Sequence, residues 1–155
     1  METNQAQQLV CSWSEFWGYC ETVAQAIMER NQDYTQAIAI IRGGYYLGDY
    51  LSRRLHLPLG VIVAKSYSDD NAQETLTMGE FSWVQKPCGK ILLVDDLVDS
   101  GITMETIKHK LIKEHRVEVD TAVIWQKSHA RFKPDYYHSV TPADFWIVQP
   151  FENES

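Results

Sequence analysis

An α/β fold, with a mostly parallel central sheet flanked by helices, is predicted by three features of the sequence. Two short stretches, QAIAII at 36–41 and KILLVDD at 90–96, are apolar at nearly every step, which is the pattern of strands buried on both faces. Amphipathic segments with helical spacing lie between such stretches. Strands and helices also alternate along the chain, the order expected where helical crossovers connect parallel strands.

The elements follow in order. Residues 1–11 read as a loose polar tail. Ser12 and Glu15 have capping-box spacing, and Phe16, Cys20, Val23, Ala24, Ile27 and Met28 recur at helical intervals, so a helix is predicted over 13–30. The strand at 36–41 ends at Gly43 and Gly44. A second helix over 45–55 places Tyr46, Leu47, Tyr50 and Leu51 on one face, and Pro58 prevents its continuation. Strands are predicted at 59–67 and 81–85, with the polar, aperiodic SDDNAQETLTMGE between them as a mobile loop. The strand at 90–96 is the strongest. A turn at 99–101 then opens a helix carrying Met104, Ile107, Leu111 and Ile112, followed by strands at 117–126 and 145–148.

Bulk properties narrow the function. A chain of 155 residues with 45% hydrophobic content builds one core, so 1–155 reads as a single domain. A net charge of −7 argues against a general nucleic-acid binder, and an anionic substrate must be held by local devices such as backbone N–H groups or a metal. No segment has the length and apolarity of a membrane span, and the first residues have no basic start or apolar run, so a cytoplasmic protein is expected. Cys11, Cys20 and Cys88 lack metal or disulfide spacing and read as reduced thiols. His56, His109, His115, His129 and His138 are scattered, without paired-ligand spacing.

The chemistry concentrates in ILLVDDLVDSGITM, 91–104. In a parallel sheet, ligands gather at the carboxyl ends of strands, beside the amino ends of the following helices. The Asp99–Thr103 turn offers successive N–H groups, the Ser100 and Thr103 hydroxyls and a helix dipole to a phosphate, while Gly101 lets the backbone approach closely. Asp95 and Asp96 can accept hydrogen bonds from a sugar diol or help position a divalent ion. Such a turn by itself also serves as a plain helix cap. An Asp-Asp pair after a strand occurs in phospho-receiver domains too, but there far more chain follows it.

The string VDDLVDSGIT, 94–103, resembles the phosphoribosyl pyrophosphate motif of type I phosphoribosyltransferases, and Asp99 at its variable position matches the 6-oxopurine branch. IRGGYYLGDYLSRRLHLPL (41–59) is similar to that family's pyrophosphate loop and next helix. KSY (65–67) is similar to the start of its flexible loop, IWQK (124–127) to its base-reading strand end and FWIVQPFE (145–152) to its base-stacking segment. Length and order are similar to the short bacterial xanthine-guanine members. The resemblance implies a small hood built from the N- and C-terminal segments, and transfer of a phosphoribosyl group to guanine, xanthine or hypoxanthine in purine salvage.

By that resemblance Asp99 stands near purine N7 as general base or as stabiliser of the protonated base, a role that also fits a helix N-cap. Asp95 and Asp96 grip the ribose hydroxyls and help hold Mg²⁺, and Ser100, Gly101, Ile102 and Thr103 take the 5′-phosphate. Arg42, Gly43 and Gly44 cradle pyrophosphate, in a segment where family members often have a cis peptide at the position of Ile41–Arg42. Ser66 and Tyr67 begin the lid, Lys127 reads the 6-oxo group, Trp146 stacks on the base and Ile147 flanks it. Val148 stands where bacterial relatives carry an acid near the metal, and Glu152 is the nearest substitute. The implied partners are small molecules and further copies of the chain, as a dimer or tetramer. Alternatives are a non-catalytic regulator that senses phosphoribosyl pyrophosphate, or an enzyme for another base. The acidic charge and the presence of Asp99, Lys127 and Trp146 favour the oxopurine enzyme.

Overall fold

A computed structural model of the chain describes residues 7–68 and 74–152. A short strand, β1 (Gln8–Val10), leads into α1 (Trp13–Arg30). The capping box forms as its spacing predicts: Glu15 N–H donates to Ser12 Oγ at 3.1 Å, and Ser12 N–H donates to Glu15 Oε1 at 3.2 Å. The chain continues through β2 (Tyr34–Ile41), α2 (Tyr45–Leu55), β3 (Leu59–Ser68), β4 (Glu74–Ser82) and β5 (Lys90–Val94). Then follow β6 (Leu97–Val98), α3 (Ile102–His115), β7 (Glu118–Ala122), β8 (Trp125–Lys127), β9 (Ser139–Thr141) and β10 (Trp146–Val148).

The central sheet has the order β4-β3-β2-β5-β7, parallel except for the antiparallel edge strand β4. Alternation along β5 shows why its sequence is apolar throughout. Leu92 and Val94 pack with Phe16, Cys20, Leu47 and Leu51 of α1 and α2, whereas Ile91 and Leu93 pack with Met104, Ile107 and Leu111 of α3. Both faces are dry, so truncating any of these leucines to alanine is expected to cost roughly 2–5 kcal/mol. The predicted mostly parallel sheet with helices on both faces is what forms. Among the described residues no helix is long and apolar enough to cross a membrane.

Five expectations are corrected. Residues 8–10, read as part of a loose tail, pair in parallel with β10 through Gln8–Trp146, Leu9–Ile147 and Val10–Val148, giving a small terminal sheet; residues 1–6 lie outside the described residues. The loop expected at 68–80 is largely strand, because β4 begins at Glu74, and the strand expected at 81–85 ends at Ser82. Most side chains of β4 are exposed, so backbone pairing with β3 forms it without leaving a buried apolar stripe to read. Residues 69–73 lie outside the described residues.

The strand predicted at 90–96 ends at Val94, and the strand predicted at 117–126 divides in two. In both, the chain leaves the central sheet and joins a three-stranded parallel sheet in the order β6-β8-β9. The hand-over is carried by Asp96, whose carbonyl accepts from Ile124 N–H at 3.0 Å and Trp125 N–H at 3.2 Å. Because residues 121–127 are buried throughout, the apolar run shows no break where the pairing partner changes.

Candidate active site

The carboxyl ends of β2 and β5 bring the RGG turn against the Asp95–Asp96 pair. A Cβ added at Gly43 would lie 2.5 Å from Asp96 Oδ2, and one at Gly44 would lie 2.6 Å from both Ile40 O and Val94 O. Only glycine permits that approach. Gly44 N–H donates to Ile40 O at 2.8 Å, and the Ile41–Arg42 peptide is cis. The Arg42 side chain is exposed beside this turn.

Asp95 and Asp96 differ in their surroundings. Asp95 Oδ1 accepts from Asp96 N–H at 2.8 Å. Desolvation by burial, and then the neighbouring Asp96 charge, hold the Asp95 carboxyl well above the ordinary carboxylate range. Asp96 Oδ2 accepts from Gln149 Nε2 at 2.6 Å, a contact from the C-terminal segment that no local pattern announces.

After β6 the chain makes the turn into α3. Gly101 caps that helix with φ of +95°, and a Cβ there would lie 2.4 Å from Phe132 Cβ, so both conformation and space require glycine. Ile102 N–H donates to Ser100 Oγ at 3.3 Å. Asp95, Asp99, Ser100, Gly101 and Thr103 line one cavity of about 260 Å³, with Ser66 and Glu74 from the β3–β4 hairpin on its far side. Ser100 Oγ donates to Glu74 Oε2 at 2.9 Å. A second cavity, of about 300 Å³, lies between Ile27–Tyr34 and Leu55–Leu57, away from these groups.

Asp99 is exposed, and its Oδ1 lies 2.8 Å from His129 Nε2. Tyr67 is also exposed, with Lys65 Nζ 4.9 Å from its ring centre, and it does not line the cavity. Lys127, at the end of β8, is buried; its Nζ donates to Phe145 O and, at 3.5 Å, to Pro142 O. Phe145 immediately precedes β10, so the ammonium is held at the backbone next in the chain to Trp146, a residue that is 62% exposed. Ile147 points the other way, into the core with Phe16 and Leu51. Its side chain supports the strand from beneath and does not stand beside Trp146.

A model of the phosphoribosyl transferase domain family matches residues 19–155. The chain belongs to that family. It is 28% identical over 147 residues, covering 94% of this chain and 85% of the relative, to the xanthine-guanine phosphoribosyltransferase of Chromohalobacter salexigens. The structure resembles xanthine-guanine-hypoxanthine phosphoribosyltransferase from Helicobacter pylori with a TM-score of 0.82 at 25% identity, covering 95% of each chain. It resembles purine phosphoribosyltransferase from Pyrococcus horikoshii with a TM-score of 0.81 at 25% identity, covering 96% of this chain and 97% of the other.

Family members use Mg²⁺, and the residues can be tested for a fit. Among the described residues no group of three or more His, Cys, Asp and Glu side chains converges as a metal cage. The carboxylates of the Asp95–Asp96 pair are the oxygen donors beside the glycine turn. That set suits an ion that keeps most of its shell on substrate oxygens and water. Gln149, His129 and Glu74, each in contact with a predicted site residue, had no signal in sequence spacing.

Proposed function

We propose that this phosphoribosyltransferase transfers the phosphoribosyl group of phosphoribosyl pyrophosphate to a 6-oxopurine, releasing pyrophosphate, in purine salvage in the cytoplasm. The reading is carried by one observation: Asp99 lines the same cavity as the phosphate-type turn of α3 and the Asp95 carboxyl. The names of the three relatives given above, each a purine phosphoribosyltransferase, agree with it.

In this reading Ser100, Gly101, Ile102 and Thr103 bind the 5′-phosphate with N–H groups, hydroxyls and the helix dipole. Asp96 accepts from the ribose diol, and the Asp95 carboxyl shares that work as a hydrogen-bond partner. Arg42 and the glycine turn receive the pyrophosphate, which departs with the electron pair of its bond to C1′ while a purine ring nitrogen bonds to that carbon. As purine N9 forms that bond, N7 gives up its proton to Asp99, so that the product base is neutral. Asp95 and Asp96, together with substrate oxygens and water, would hold Mg²⁺, which when bound would supply positive charge to the departing pyrophosphate. Ser66 and Tyr67 close the site against water.

Base choice falls to Lys127 and Trp146. With two carbonyls already bonded, the ammonium keeps one N–H, a donor that suits a 6-oxo group and opposes the 6-amino donor of adenine. Trp146 supplies a stacking face worth roughly 1–3 kcal/mol. The chain assembles as a dimer or tetramer in this proposal, with exposed Trp17 and Tyr45 available for contact.

The test is release of pyrophosphate with Mg²⁺ and each base in turn. Turnover with guanine, xanthine or hypoxanthine supports the proposal; turnover with adenine alone sinks the base assignment. Binding of phosphoribosyl pyrophosphate without turnover on any base would favour a sensor.

A further inference from the structure

Asp99 sits at the edge of the site and is itself 65% exposed, so nothing in its own turn fixes its rotamer. The restraint comes from the segment after β8. Lys127 O accepts from Ala130 N–H at 3.0 Å, a tight turn that swings residues 129–132 across the start of α3. Three consecutive residues of the phosphate turn then meet three residues of that segment. His129 Nε2 lies 2.8 Å from Asp99 Oδ1, Arg131 N–H donates to Ser100 O at 3.1 Å, and Phe132 packs on the face of Gly101 where a Cβ would lie 2.4 Å from it. The two segments therefore run alongside each other, with Ala130 passed over between the first contact and the second, and the Asp99–His129 contact is the first of the three.

We infer that His129 is the positioning residue for Asp99. Its Nε2, 2.8 Å from Oδ1, restrains the carboxylate from that side and leaves the second oxygen for the incoming purine. A donor at Nε2 is required at this distance from a carboxylate, and both the neutral Nε2–H tautomer and the imidazolium provide it. The same short segment runs back to Lys127, so the group that reads the base edge and the group that orients the N7 partner are only two positions apart in the chain. This inference rests on the assignment of Asp99 made above.

The pair is half-open to water, His129 being 47% exposed, and that sets the expected size of the effect. Losing the bond should lower kcat roughly fivefold, which is about 1 kcal/mol at 25 °C. The experiment compares His129→Ala, His129→Gln, Asp99→Ala and the double variant His129→Ala/Asp99→Ala in steady-state kinetics on an oxopurine. The expected result is a lower kcat for His129→Ala with the KM for phosphoribosyl pyrophosphate unchanged. His129→Gln, which keeps a side-chain N–H donor, should recover most of the loss. In the Asp99→Ala background, removing His129 should change nothing further.

His129→Ala at the parental rate, with Asp99→Ala impaired, would overturn the inference and leave the role of Asp99 standing. So would a loss confined to KM, or one that persists in full without Asp99. Asp99→Ala at the parental rate would instead remove the assignment on which the inference rests.

Discussion

Gln149 Nε2 donates to Asp96 Oδ2 at 2.6 Å, while the other end of the same amide, Oε1, is buried without a hydrogen-bond partner among the described residues. A residue of the C-terminal segment thus holds one of the two carboxylates next to the glycine turn. A charge-assisted hydrogen bond of this kind contributes roughly 1.5–3 kcal/mol. Gln149→Leu, close in size but without the donor, should therefore lower kcat/KM for phosphoribosyl pyrophosphate by about 10-fold or more. Gln149→Glu should be worse, because it places a second charge against Asp96. Steady-state kinetics with the base saturating checks both, and a Gln149→Leu variant equal to the parent would remove the positioning role.

Gly101 and Gly18 make opposite predictions from the same substitution. At Gly101, φ is +95° and a Cβ would lie 2.4 Å from Phe132 Cβ, so Gly101→Ala is expected to destabilise by about 2 kcal/mol or more. It should also raise the KM for phosphoribosyl pyrophosphate, since Phe132 or the turn must move. Gly18 lies inside α1, where a Cβ would meet no other part of the described residues within 4 Å, so Gly18→Ala should stabilise by roughly 0.5–1 kcal/mol. Urea denaturation of the two variants beside the parent measures both signs. Equal midpoints for Gly101→Ala and the parent would contradict the packing described.

What was legible in the sequence depended on how local its cause is. The Asp95–Thr103 stretch could be read because a strand end, a glycine with positive φ and a helix start are consecutive. The capping box of α1 is a contact over three residues, and it forms as predicted. Gln149 reaches Asp96 across 53 residues, and no periodicity marks such a contact. His129 was noted only as one of several scattered histidines; its meaning arises when β8 is laid beside β6 in parallel. The edge strand β4 escaped because its exposed side chains leave no apolar stripe. The resemblance implied that Ile147 flanks the base beside Trp146, but alternation along the strand buries its side chain on the opposite face.

Glu74 and Ser100 give a prediction in the direction of improved binding. The Glu74 carboxylate accepts from Ser100 Oγ at 2.9 Å, so an anion occupies a hydroxyl assigned to the 5′-phosphate. Substrate must displace that contact and tolerate the nearby negative charge. The pair is exposed, which limits the penalty to about 1 kcal/mol. Glu74→Ala is expected to lower the KM for phosphoribosyl pyrophosphate roughly threefold with kcat little changed. A raised KM would show instead that Glu74 assists binding.

His138 carries a pH prediction whose sign can be worked out. Its ring stacks on Tyr19 with centroids 3.9 Å apart, and its Nδ1 is buried without a partner among the described residues. Burial lowers its proton affinity below that of a free histidine, so the folded protein favours the neutral ring. The unfolded chain then binds a proton more readily than the folded one between the depressed folded value and about 6.5. Stability from this source is full above that unfolded value and is lost as pH falls through it toward the folded value. Glu15 and Glu21, both held below their ordinary range, Glu21 at about 2, lose their contributions only at more acid pH. Urea denaturation at pH 7.5, 6.5 and 5.5 therefore falls in the histidine window. The parent should lose more stability across it than His138→Phe, which keeps the stacking on Tyr19 and cannot titrate. Equal losses in the two proteins would mean that the His138 ring is as easily protonated in the folded chain as in the unfolded one.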